Sequence, residues 1–95
     1  MPNHNYNRGV KRERRTQQIL ETAGYRTLRS AGSHGDFDVV GYNAVGVLFV
    51  QCKLDRDLTP AEREQLAQIQ LPPNCLKLVH RYRTGRKDPE IITVA

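Results

Sequence analysis

The chain has 95 residues, of which 38% are apolar and 26% charged, and it carries a net charge of +5. A chain this short builds one core, so a single domain over residues 1–95 is expected and a division into two is excluded. The composition excludes a disordered chain, and no apolar run approaches the roughly 20 residues of a membrane span. Two cysteines, Cys52 and Cys75, are too few for a disulfide framework and lack metal-ligand spacing; both read as buried thiols. The N-terminal MPNHNYNRGV has no apolar secretory core, so the cytoplasm is the expected address. The charge is unevenly spread. Residues 1–30 hold seven Lys and Arg against two acids and residues 76–95 five against two, whereas residues 31–75 hold three against six. Basic ends around an acidic centre can meet phosphates while carboxylates gather at an inner site, although a merely solvated basic surface has the same composition.

In chain order, residues 1–7 are polar and Asn-rich and read as a flexible arm. Residues 8–23 contain no proline, and Thr16, Ile19, Leu20 and Ala23 mark one helical stripe that Gly24 terminates. Three residues before that stripe stands Glu13, an acid in line with core-facing positions. A short strand over 25–28 and a Gly/Ser loop over 29–35 follow. Residues 37–42 and 45–53 are rich in Val, Phe and Tyr, and Asn43-Ala44 between them predicts a hairpin. The second of these strands is apolar on both faces over 45–50, as a covered central strand should be.

Thr59-Pro60-Ala61-Glu62 starts a second helix with an N-cap, a proline at the first position and a capping-box acid. That helix is expected to run to about residue 70, before Pro72-Pro73. Strands over 76–82 and 91–94 complete the chain, joined by the turn-rich 84–89. The expected fold is α/β, a mixed five-stranded sheet flanked by helices in the order α-β-β-β-α-β-β.

A hairpin turning near Ala44 sets Asp38 across from residues 49–51, while Gln51 and Lys53 share one strand face. If Asp38 shares that face, a carboxylate, an amide oxygen and an ammonium meet at one end of the hairpin, with Glu13 able to join from the first helix. Oxygen ligands of this kind suit Mg²⁺, which takes one or two carboxylates and keeps several waters; Mn²⁺ accepts the same ligands. Such a metal activates water and offsets charge on a phosphate, and Lys53 can stabilise that phosphate or orient the water.

These residues give the chain a resemblance to the PD-(D/E)XK nuclease superfamily, most of all to the archaeal-type Holliday-junction resolvases. The resemblance rests on Glu13, Gly24-Tyr25, Arg29, Ser33, Asp38 in Phe37-Asp38-Val39-Val40-Gly41, and Gln51-Cys52-Lys53 at the acid-x-Lys position, and it covers residues 8–53. It implies a restriction-endonuclease-like core and a catalytic set of Glu13, Asp38, Gln51, Lys53 and Ser33. The metal is expected on Asp38, Gln51 and the Cys52 backbone carbonyl, with Glu13 reaching it through water.

One departure is Gln51, where the family pattern has an acid; an amide brings no charge to a cation. The Gln-x-Lys variant resembles the catalytic motif of modified-DNA-specific restriction enzymes, and Asp36 is positioned to restore the charge if the strand has begun there. DNA contacts are expected from Arg8, Lys11, Arg12 and Arg15 on the first helix and from Arg29, Ser33 and His34 in the loop. The implied activity is Mg²⁺-dependent hydrolysis of four-way junctions by a homodimer. A restriction- or repair-type endonuclease on the same fold, and a non-catalytic DNA-binding module with a degenerate site, are the alternatives. RNA is excluded by no residue, though aromatics grouped for base stacking are lacking.

Overall fold

The computed structural model describes residues 4–30 and 36–94, with side chains from Gly9 onward. The element order is α1(His4–Thr22), β1(Arg26–Arg29), β2(Val39–Tyr42), β3(Val47–Leu54), α2(Pro60–Gln68), β4(Cys75–Tyr82) and β5(Glu90–Val94). The strands form one five-stranded sheet in the order β1-β2-β3-β4-β5. Only β3 and β4 pair in parallel; the other three pairs are antiparallel. A parallel pair needs a crossover, and residues 55–74 with α2 supply it. The mixed α/β architecture is the one the sequence predicts.

Helix α1 begins at His4, so residues 4–7 are helical where composition suggests an arm. Extending an established helix fixes one residue per added hydrogen bond, and neither proline nor glycine interrupts residues 4–8. Its other end is a Schellman turn: Gly24 lies at φ 97°, Gly24 N–H donates to Glu21 O at 3.0 Å and Tyr25 N–H to Leu20 O at 3.0 Å. The turn brings Tyr25 back against Leu20.

Helix α2 starts with the predicted capping box, Thr59 accepting from Glu62 N–H and Glu62 from Thr59 N–H. It stops at Gln68, two residues before the expected end, because Ile69 turns extended at ψ 117°. No glycine closes it. Instead Lys77 Nζ of β4 donates to the carbonyls of Leu66 (2.7 Å), Ala67 (3.2 Å) and Ile69 (3.0 Å), placing a cation on the negative helix end.

The helices cover opposite faces of the sheet. Leu20 of α1 packs with Val39, Val50 and Leu78 on one face, while Leu58, Leu66, Val79 and Val94 form the core under α2 on the other. The α1 face also buries a polar knot. Thr16, fully buried on the predicted apolar stripe, holds His80 Nδ1 at 3.0 Å, the Tyr82 hydroxyl at 2.7 Å and Cys52 Sγ at 3.4 Å. Burial pushes the Cys52 thiol and the Tyr82 phenol each up to about 12, so both stay neutral. Cys52 and Cys75 are each half-buried, not fully enclosed as the sequence suggests.

Two consequences can be measured. A Cβ at Gly46 would stand 2.2 Å from the Asn74 carbonyl, a backbone atom that cannot swing away. Gly46→Ala should therefore lower stability by about 1–3 kcal/mol, read from the urea midpoint. Burial also pushes the His80 imidazole from 6.5 down to about 4. The unfolded chain then binds the extra proton between those values, so stability is full above about pH 6.5 and falls as pH drops toward 4. The contribution of His80 should shrink by about 2 kcal/mol between pH 7 and pH 5, and His80→Asn should flatten that part of the stability–pH curve.

Candidate active site

The β2–β3 register decides which side chains meet. Val39 pairs with Val50 as β2 begins, which leaves Asp38 just outside the ladder, beside the stretch of β3 from Val50 to Cys52. There the ladder changes character. Asp38 N–H still donates to Val50 O at 2.8 Å, but its carbonyl turns to β1 and accepts from Ser30 N–H at 2.9 Å. The Asp38 carboxylate takes over the vacated bond, Oδ2 accepting from Cys52 N–H at 2.8 Å. The carboxylate is thus fixed along β3 beside Gln51. Phe37, just before it, packs on Phe49 with ring centroids 5.3 Å apart and seats the approach to Asp38.

Side chains alternate along β3, and Cys52 points to Thr16 on α1, so Gln51 and Lys53 face α2. Gln51 Oε1 is buried and has no hydrogen-bond partner. A buried amide oxygen left without a donor is costly, and beside a carboxylate it fits a hard cation. The Cys52 carbonyl lies on the same strand edge as its N–H, past the end of the β2 ladder, where no β2 residue pairs with it. Asp38, Gln51 and this carbonyl therefore form a donor set compatible with Mg²⁺ or Mn²⁺. Among the described residues, no three of His, Cys, Asp and Glu gather as a metal-binding group, so the set depends on neutral oxygens.

Lys53 is 8% exposed, and its Nζ lies 2.6 Å from Glu62 Oε2 on α2. Glu62 Oε1 meanwhile accepts from Thr59 N–H at 2.9 Å and from Arg56 at 3.2 Å. The Lys53 hydrogen bond, followed by that of the Thr59 backbone, draws the Glu62 carboxyl from 4.5 down to about 2. Sequence reasoning recognised Glu62 as a helix cap only. The partner of Lys53 follows from where the crossover lays α2, which no local spacing encodes.

The remaining expected residues fall in several places. Glu13 is on the α1 face, where Arg29 of β1 holds it at 3.0 Å, so two residues assigned separate roles form one ion pair. The charges of Glu13 and Asp38 both act on the Cys52 thiol, which places both near it. Asp36 is exposed and bonded by Gln65 of α2 at 3.2 Å. Ser33, His34 and the Arg8 side chain lie outside the described residues.

Lys11, Arg12, Arg14 and Arg15 of α1 form one wall of a cleft of about 850 Å³. The opposite wall is the β4–β5 turn, with Arg83, Arg86 and Lys87, and an Arg15–Asp88 ion pair ties the two together. The turn's part in this surface was not foreseen, although the excess of basic residues in 76–95 pointed to it. No helix among the described residues is long and apolar enough to cross a membrane.

Comparison with known proteins bears on the same residues. The fold is similar to that of Archaeoglobus fulgidus Hjc, a Holliday junction resolvase from an archaeal hyperthermophile, with a TM-score of 0.70 and 23% identity over 92% of this chain and 73% of that one. At that identity the likeness speaks for the fold. No curated protein sequence matches the chain. Residues 4–70, from the start of α1 through α2, match the family model of the archaeal Holliday junction resolvase (Hjc). With well over half its length matched, and with Asp38, Gln51 and Lys53 inside the match, the chain belongs to the archaeal Holliday junction resolvase family.

Proposed function

We propose that this chain hydrolyses DNA phosphodiester bonds at four-way junctions through Asp38, Gln51 and Lys53, using Mg²⁺ and acting as a homodimer. The class of reaction follows from the family: a Holliday junction resolvase is a nuclease that acts on DNA junctions. The observation that carries the choice of residues is the Asp38 carboxylate, pinned at 2.8 Å by the N–H of Cys52, the residue after Gln51, whose buried amide oxygen has no partner.

Asp38, Gln51 Oε1 and the Cys52 carbonyl would hold the ion, with Glu13 in reach only through water. Bound there, Mg²⁺ supplies positive charge that acidifies an attacking water and offsets charge on the phosphate. The Lys53 ammonium, oriented by Glu62, stabilises the same phosphate from the α2 face. The Arg29–Glu13 pair braces the β1 side, and Arg29 is a candidate to touch the DNA backbone. Lys11, Arg12 and Arg15, joined by Arg14 and the cations of the β4–β5 turn, bind flanking phosphates in the basic cleft. Two copies related by a twofold axis would nick two strands symmetrically.

Cleavage of a labelled four-way junction and of matching linear duplex, with Mg²⁺ and with EDTA, tests the reading. Metal-dependent nicking of the junction is expected, with about a 10²–10³-fold loss in Lys53→Ala and abolition in Asp38→Asn. Equal cleavage of duplex would point to a restriction- or repair-type endonuclease. Tight binding without cleavage in Mg²⁺ or Mn²⁺ would leave a DNA-binding module, the reading that the uncharged Gln51 favours.

The cleft makes a separate prediction. Replacing Arg86 and Lys87 together by Gln should weaken junction binding equally for all sequences and reduce the slope of log affinity against log salt by about 2.

A further inference from the structure

A divalent ion held beside a buried ammonium needs more negative charge than one aspartate provides. At this site Asp38 contributes one negative charge, Lys53 cancels it, and Gln51 adds none. Burying Lys53 to 8% exposure also requires an opposite charge close by. The structure provides it from outside the strand motif: Glu62 Oε2 lies 2.6 Å from Lys53 Nζ.

Glu62 is not a chance neighbour. Its other oxygen closes the capping box on Thr59 N–H at 2.9 Å, so the first turn of α2 fixes the carboxylate before it meets Lys53. One turn further along, Gln65 reaches the Asp36 carboxylate at 3.2 Å, and Leu66 packs in the cluster that also holds Phe37. The same face of α2 thus addresses both the segment leading into Asp38 and the end of β3.

We propose that Glu62 is the second carboxylate of the active site, contributing to the metal ion the negative charge that Gln51 lacks. The proposal rests on the reading of Asp38 and Gln51 as metal ligands. It assigns α2 a share of the reaction and makes the strand motif alone an incomplete site. Asp36 is exposed and engaged by Gln65, and Glu13 is held by Arg29 on the α1 face. Arg56, the other cation on Glu62, is more than half exposed, so water screens its charge more than that of the buried Lys53.

The test is Mn²⁺ binding by isothermal titration, without DNA, to wild type, Glu62→Gln, Thr59→Ala and the double variant Gln51→Glu/Glu62→Gln, with junction cleavage measured in parallel. Glu62→Gln keeps an oxygen for Thr59 N–H and removes the charge. It should weaken Mn²⁺ binding about tenfold or more and reduce cleavage with it. The double variant returns a carboxylate to the strand and should recover both. Thr59→Ala damages the same cap but keeps the carboxylate, so its Mn²⁺ affinity should stay within about twofold of wild type. Unchanged Mn²⁺ binding in Glu62→Gln, no recovery in the double variant, or an equal loss in Thr59→Ala would each overturn the proposal. A wild-type protein that binds Mn²⁺ in this Glu62-dependent way yet cuts no DNA would uphold it and refute the nuclease assignment instead.

Discussion

The docking of Asp38 on β3 between Val50 and Cys52, across the β2–β3 hairpin, is the constraint on which the rest of the site depends. A slip of one residue would send Gln51 and Lys53 toward α1 and the aspartate away from both, because side chains alternate along a strand. The apolar pairs hold that register. Val39 and Val50, both fully buried and paired, would have to leave the core for the hairpin to shift. Gly41 contributes by having no side chain, since a Cβ there would meet Leu20 Cδ1 at 2.9 Å and push that side chain aside. Hydrophobic packing on one face thereby fixes polar chemistry on the other.

The two faces of the sheet divide the work. The α1 face is sealed around Thr16, His80, Tyr82 and Cys52, whose hydrogen bonds converge on one hydroxyl. Such a knot has few alternative arrangements, since each donor moved away leaves an unpaired group in a dry environment. The α2 face is more open at its end, where Glu62 is partly exposed and the Gln51 amide oxygen has no protein partner. A rigid layer lies behind the site and a more accessible one in front.

What could be read in the sequence was governed by short-range geometry. A hairpin with a short turn has few registers, so Asp38 could be set against residues 49–51 by counting, and in the structure its N–H meets the Val50 carbonyl. Thr59, Pro60 and Glu62 specify a helix start through contacts within four residues. The Lys53–Glu62 pair, the Lys77 cap on α2 and the basic cleft stayed hidden because each joins elements whose relative placement is set by the crossover. Thr16 and His80 were hidden for a different reason. On an apolar stripe and an alternating strand, a small polar residue looks the same whether or not a partner waits across the sheet. The functional part of the motif was accessible mainly through its resemblance to the resolvases, and the family match supports that resemblance over residues 4–70.

The lone parallel pairing has a consequence for how the molecule comes into being. Strands β1, β2 and β3 join neighbours through short connections, whereas β4 can reach β3 only after residues 55–74 have looped across the sheet. Closing the longer loop carries the larger entropy loss, so the hairpin with Asp38 and Gln51 is favoured to assemble first and the crossover to dock last. Lys53 receives its partner Glu62 only in that final step. A partly folded chain would then present basic helix and aspartate without an anchored lysine, able to cling to DNA but poorly equipped to cut it. With Lys53 in the proposed role, the wiring of the sheet would delay cutting until folding is complete.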